Sequence, residues 1–188
     1  DSEDTEENQE ETVTVDFEAL KKINREIIAW IRIPDTGIDY PVVQGADNEY
    51  YLKHTFKKTE HVAGSIFLDK DNSPDFSNRK SILYGHNMKD GSMFQGLHKY
   101  ENEQYLEIHN KVYLYLPDGQ TLIYSVIKCG YVSANSDTFW LGEPVETRQL
   151  LLSTCGSDSS KRLVLFCELP EESEESETNG EGISMEVF

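Results

Sequence analysis

What this sequence lacks narrows its function first. No run of 18 apolar residues occurs in its 188 positions, so no stretch is long enough to cross a bilayer as a helix. Its 17 basic residues are outnumbered by 35 acidic ones and form no stripe, which removes the electrostatic footing for nucleic-acid binding. Despite the acidity, no Asp-x-Asp-x-Asp-Gly loop is present, so the carboxylates do not spell a calcium site, and no metal or cofactor is expected. Cysteine occurs only three times, an odd number that cannot pair completely. No internal repeat is visible.

Hydrophobic residues make up 37% of the chain, and the deficit sits at its ends. Residues 1–18 carry nine acids and residues 171–188 carry seven, with no Lys or Arg in either; these sixteen charges are all but two of the net −18. The middle is therefore near neutral and long enough to bury a proper core. The organisation read from this is an acidic linker over 1–14, one folded domain over 15–170 and an acidic tail over 171–188. The last six residues, Ile183 to Phe188, regain apolar character and could fold back as a strand or into a groove.

Within the domain, Asp16 is placed to cap a helix carrying Phe17, Leu20, Ile23, Ile27 and Ile28 at helical spacing. Trp30 to Ile33 and Ile38 to Val43 read as strands, with Pro41 expected near an edge or a bulge. Asp47 or Asn48 caps a short helix through Leu52. Ala63 to Leu68 and Lys80 to Gly85 are strand-like, and 93–108 is helical in two pieces. Val112 to Leu116, the turn Pro117-Asp118-Gly119 and Thr121 to Val132 form a hairpin, and 134–147 is a loop. Gln149 to Cys155 and Arg162 to Leu169 close the sheet. About eight strands with a few short helices suit a mainly β protein closed into a barrel, which leaves no open sheet edge.

Two strand ends carry the chemistry. The run Leu150-Leu151-Leu152-Ser153-Thr154-Cys155 stops at a thiol, six polar or small residues turn the chain, and Arg162 opens the next strand. Read as a hairpin, this puts a thiol and a permanent cation at one edge of the sheet, and such a cation favours the nucleophilic thiolate. The plainer alternative is a small buried cysteine beside a surface arginine. A second strand, Ile82-Leu83-Tyr84-Gly85, delivers His86. His54, His61, His98 and His109 sit in polar helical or loop surroundings and read as surface residues, while Cys129 and Cys167 lie in apolar runs and read as packing residues, a bridge between them staying open.

Together these segments resemble the sortases, cysteine transpeptidases of Gram-positive cell surfaces, and class B most closely. The matching residues are Tyr84-Gly85-His86, Leu152-Ser153-Thr154-Cys155, Lys161-Arg162, Pro41-Val42-Val43-Gln44-Gly45, Asn48 with Leu52, and Gly64-Ser65-Ile66-Phe67. The resemblance covers most of Ile27 to Leu169 and implies an eight-stranded barrel with an N-terminal helix. It implies Cys155 as nucleophile forming a thioacyl intermediate, His86 as proton carrier and Arg162 as oxyanion donor, roles that suit a thiol, an imidazole and a guanidinium chemically. It implies peptide contacts at Asn48, Leu52, Ser153 and Thr154, and from the loop before the cysteine strand at Asn135, Phe139 and Trp140. That loop is short where class B sortases carry a long helix, and Phe139 and Trp140 have packing on the barrel as a second reading. Whether Asp158 orients His86 stays open, and Asn87 is poorly placed to do so because adjacent strand residues face opposite ways.

The function so implied is cleavage of a C-terminal sorting motif of surface proteins and transfer of the new carboxyl end to an amine. That amine belongs to a cell-wall precursor or to a pilin lysine. A thiol protease without transfer and a surface binding module with an inert cysteine are the alternatives. The expected location is the extracellular face of the membrane, with an N-terminal anchor in the parent protein upstream of Asp1.

Overall fold

In the computed structural model, which describes residues 13–155 and 160–171, the first helix ends sooner than its apolar spacing predicts. Helix α1 spans Phe17–Ile23, and its cap is the expected Asp16, whose carboxylate accepts the Ala19 N–H at 2.9 Å. Asn24 stops it. That residue is extended (φ −154°, ψ 119°), and its amide donates to the Tyr51 hydroxyl and the Phe56 carbonyl, each at 2.8 Å. Its carbonyl oxygen also accepts the Glu26 N–H at 2.9 Å. An asparagine with three such partners stabilises the non-helical backbone, so Ile27 and Ile28 leave the helix and join the first strand. Strand β1, Ile27–Ile33, then alternates between buried and half-buried residues.

The remaining strands are β2 (Ile38–Val43), β3 (Ile66–Leu68), β4 (Lys80–Gly85), β5 (Lys111–Tyr115), β6 (Thr121–Ser133), β7 (Arg148–Cys155) and β8 (Lys161–Leu169). They close into a barrel in the order β1-β2-β3-β4-β7-β8-β6-β5, so the expected eight-stranded, mainly β architecture is what forms. Neighbours are antiparallel except β2–β3 and β4–β7. Parallel pairs need crossovers, and the β4–β7 crossover contains a 3₁₀ stretch at Phe94–Glu101, helix α2 at Glu103–Ile108, and the β5–β6 hairpin. Pro41 faces Trp30 of β1 beside that strand's bulge, and β3 begins to pair with β2 only at Val42, so no ladder bond is asked of the missing N–H.

Strand β3 is shorter than the predicted Ala63 to Leu68. Gly64 adopts a left-handed φ of 56° with its α-carbon so close to the Tyr51 carbonyl that a Cβ would lie 2.4 Å from that oxygen. Ser65 donates its N–H to the same carbonyl at 2.9 Å, so Ala63 to Ser65 turn against the Tyr50–Leu52 3₁₀ helix and do not extend.

The barrel interior is aliphatic, with Ala29, Ile31, Val42, Ile66, Leu83, Leu150, Leu152, Leu163 and Leu165 fully buried. Leu151 points the other way and is buried too, because the 134–147 segment lays Phe139 and Leu141 over it, Ile82 and Val164. A strand covered on both faces reads as an unbroken apolar run, which explains Leu150-Leu151-Leu152. Cys129 and Cys167 are free thiols packed in or against this core, so the bridge left open by the sequence does not form. Burial pushes the Cys129 thiol up to about 12 and moves Cys167 the same way. Residues 1–12 of the acidic linker, Asp158, and the acidic tail from 172 on with Ile183 to Phe188, on all of which sequence expectations bear, lie outside the described residues.

Candidate active site

Three strand ends meet because of register. Strand β4 runs parallel to β7 from Lys80 opposite Gln149 to Gly85 opposite Thr154. His86 therefore leaves β4 just where β7 reaches Thr154 and Cys155. Strand β8 returns antiparallel, with Arg162 directly opposite Cys155. The hairpin read from the sequence is thus the β7–β8 pair, and its thiol, guanidinium and imidazole residues share one end of the sheet.

The backbone at this end is held tightly. A Cβ at Gly85 would lie 2.5 Å from Ile66 Cδ1 and 2.7 Å from Phe94 Cδ2, so the residue before His86 must be glycine for the barrel to close around it. The His86 Nε2 lies 2.6 Å from the Leu52 carbonyl. A carbonyl only accepts, so Nε2 carries the hydrogen and Nδ1 is the nitrogen that changes its protonation. Leu52 is set in turn by the Tyr50–Leu52 turn, whose start is capped by the Asp47 carboxylate accepting from Glu49 and Tyr50 at 2.8 and 2.7 Å. Asn87 instead forms a backbone bridge with Met93. A main-chain carbonyl thus holds the ring where papain-like enzymes use an Asn or Asp side chain.

Beside these residues lies a cavity of about 310 Å³ whose lining includes Asn48, Leu52, Tyr84, Phe139, Ser153, Thr154 and Arg162. Arg162 is half-buried there, and its Nη1 donates to the Lys161 carbonyl at 3.0 Å. Of the peptide contacts expected from the sequence, Asn48, Leu52, Ser153, Thr154 and Phe139 are brought together. Asn135 and Trp140 are not among the lining residues: Asn135 is exposed, and Trp140 is 61% exposed with its ring beside Gly142. Phe139 both packs on the barrel and lines the cavity. A larger groove of about 1090 Å³ lies at the opposite end of the barrel around Arg79 and Arg148, far from the three converging strand ends.

One wall of the smaller cavity rests on a residue the sequence reading passed over. Asp69, 7% exposed, accepts from the Tyr84 hydroxyl at 2.8 Å and from the Asn48 amide at 3.0 Å through one oxygen. Its other oxygen accepts the Asp71 N–H at 3.0 Å, and the Asn48 carbonyl oxygen takes the Lys70 N–H at 2.8 Å. Burial, and then the Asp69 charge, move the Tyr84 hydroxyl well above the usual phenol range, so it stays a donor. The available signal was period two, since Tyr84 precedes His86 by two residues. The other histidines have local roles: His54 stacks on Tyr50 at 3.9 Å, His98 pairs with Glu101, His109 pairs with Asp35, and His61 is exposed.

Residues 31–170 match the family model described as the sortase domain. The chain is 49% identical over 90 residues to sortase B of Listeria monocytogenes, a stretch that is 48% of this chain and 37% of that protein. It therefore spans well under half the length of that curated relative. Sortase B from Bacillus anthracis superposes with a TM-score of 0.70 at 35% identity, covering 81% of this chain and 83% of that one. A Streptococcus pyogenes class B sortase involved in pilus biogenesis gives a TM-score of 0.73 at 26% identity, over 83% and 98% of the two chains. Barrel order, site geometry and these likenesses agree: the chain belongs to the sortase family of cysteine transpeptidases and, within it, to class B.

Proposed function

We propose that this chain cleaves a C-terminal sorting motif of surface proteins and joins the new carboxyl end to an amine, with Cys155, His86 and Arg162 as its catalytic residues. The observation that carries the reading is register: β4, β7 and β8 deliver these three residues to one end of the sheet beside a cavity of peptide-groove composition. In the first half-reaction the Cys155 thiolate attacks the scissile carbonyl carbon. The oxyanion that forms is stabilised by the planar N–H fork of Arg162. The C–N bond breaks as His86, protonated at Nδ1, gives that proton to the leaving amine, and a thioester remains on Cys155. In the second half-reaction an acceptor amine attacks the thioester, His86 takes its proton, and the thiolate is released. Asn48, Leu52, Ser153, Thr154 and Phe139 hold the peptide, with Asn135 and Trp140 outside the groove contributing at most at its rim.

Sortases are associated with the cell surface. We place the active chain on the extracellular face of the membrane, with 15–170 as the catalytic domain and the acidic segments 1–14 and 171–188 as solvated extensions. A cell-wall precursor amine is the acceptor of choice. A pilin lysine is the second reading, favoured by the likeness to the Streptococcus pyogenes enzyme of pilus biogenesis. Screening a sorting-peptide library with and without amine acceptors tests the reading. Cleavage with a thioester on Cys155 and an amide product are expected. Hydrolysis unaffected by any amine would make the chain a thiol protease, and slow alkylation of Cys155 without peptide turnover would make it a binding module.

A further inference from the structure

Strand β4 has an outer face made by Lys80, Ile82 and Tyr84 at every second position. Tyr84 reaches the cavity, and Ile82 packs under Phe139 and Leu141. Lys80 continues the same row and is 3% exposed. An ammonium ion is costly to bury unless it is paired and hydrogen-bonded. Lys80 Nζ meets Glu143 Oε2 at 2.5 Å and the carbonyls of Thr138 and Trp140 at 3.3 Å each. All three acceptors belong to the 134–147 segment, and the two carbonyls bracket Phe139, whose ring lines the cavity.

We propose that Lys80 is a positioning residue of the peptide groove: its ammonium grips the backbone on both sides of Phe139 and thereby sets the wall that this ring gives to the groove. The inference rests on reading the cavity as the peptide groove. The segment has little regular structure of its own, since the one 3₁₀ turn at Asp137–Phe139 is held by local bonds from Phe139 to Ser136 and from Trp140 to Asp137. Besides the packing of Phe139 and Leu141 on the barrel and the Ala134 N–H bond to the Ser160 carbonyl, it is fastened by polar side chains at the start of β4, Lys80 and the preceding Arg79, which donates to the Glu146 carbonyl at 2.6 Å. The barrel ladders do not depend on either contact.

Lys80→Met keeps the length and removes the charge. Glu143, half-exposed, returns to water without becoming an orphan charge, while the Thr138 and Trp140 carbonyls lose their buried donor and must lift toward solvent. Amide exchange at Phe139 and Trp140 should accelerate. The KM for the sorting peptide should rise about tenfold, which corresponds to about 1.4 kcal/mol of binding. The kcat should stay within about twofold, because the reacting groups are untouched. In a Phe139→Ala background the same substitution should leave KM unchanged, since Lys80 acts through that ring. Wild-type exchange or wild-type KM in Lys80→Met overturns the inference, as does a fall in kcat at constant KM. Should that variant not fold, Glu143→Gln carries the test with the same two readouts, and no change in either overturns it. Failure of the functional reading is separate and visible in the wild-type protein, as absence of peptide binding and turnover.

Discussion

Gly85→Ala sets a general rule against one packed site. Glycine inside a strand ordinarily costs roughly 0.5–1 kcal/mol relative to alanine, and Gly85 is not among the residues with positive φ, so propensity alone predicts stabilisation. Packing predicts the reverse. The new methyl would sit 2.5 Å from Ile66 Cδ1 and 2.7 and 2.8 Å from Phe94 Cδ2 and Cγ, and both side chains are fully buried. Neither can swing into solvent, so β4 or Phe94 must shift, at an overpacking cost of about 1–3 kcal/mol. The net expectation is a loss of roughly 1–2 kcal/mol, or roughly 2–8 °C in Tm for a domain of this size. Because His86 is the next residue, a displacement of about 1 Å there can lower turnover by about 100-fold. Thermal melts by circular dichroism and peptide-cleavage kinetics measure the two effects. Ile66→Val removes the nearest clashing atom. Alone it should cost about 0.5–1.5 kcal/mol, and less than that in the Gly85→Ala background. A Gly85→Ala protein with unchanged or raised Tm would refute the packing argument.

Cys155→Ala should abolish cleavage with the fold retained, whereas a stability loss of about 2–5 kcal/mol in the melt would mark it as a core residue. His86→Ala should cut turnover by about 100-fold or more, and Arg162→Ala likewise, with Arg162→Lys rescuing little because an ammonium lacks the planar fork; near-wild-type kinetics in either alanine variant would remove its assigned role. Asp69→Asn should raise KM through loss of the shared acceptor of Asn48 and Tyr84, and unchanged peptide binding would show the network to be idle. The folded Cys129 thiol, pushed up by burial to about 12 from an ordinary 9.0, keeps a proton that the unfolded chain releases first. Its stabilising contribution is therefore complete below pH 9 and is lost as pH rises toward about 12, so the Tm of Cys129→Val should fall less steeply across that window. Trimming to 15–170 should keep the melting temperature and most cleavage, because segments so rich in like charge bury too little apolar surface to offset their ordering entropy; a collapse in Tm, or a large gain in activity, would assign the C-terminal segment a place in the fold or in the groove.

Local pattern alone determined a good deal of this protein. The limits of β4 at Lys80–Gly85 and β2 at Ile38–Val43 follow from β-forming runs bounded by turn residues, and the structure has them where the pattern puts them. The Asp16 cap, the β5–β6 hairpin and the hairpin joining Cys155 to Arg162 are likewise short-range events, settled within a few residues. The end of α1 was not legible. Ile27 and Ile28 suit a helix by spacing, and two of the three partners that turn Asn24 into a stop, Tyr51 and Phe56, lie more than 25 residues away. The start of β3 was hidden for the same reason, since Gly64 answers to the carbonyl of Tyr51. Within the site, a thiol, an imidazole and a guanidinium could be picked out because each ends or begins a strand. That they share one sheet end was decided by the parallel pairing of β4 with β7, across more than sixty intervening residues. The supporting residues, Asp69 under Asn48 and Tyr84 and Lys80 around Phe139, carry no sequence motif at all. A buried charge is defined by the acceptors and donors that surround it, and those come from segments that only the closed barrel brings within 3.3 Å.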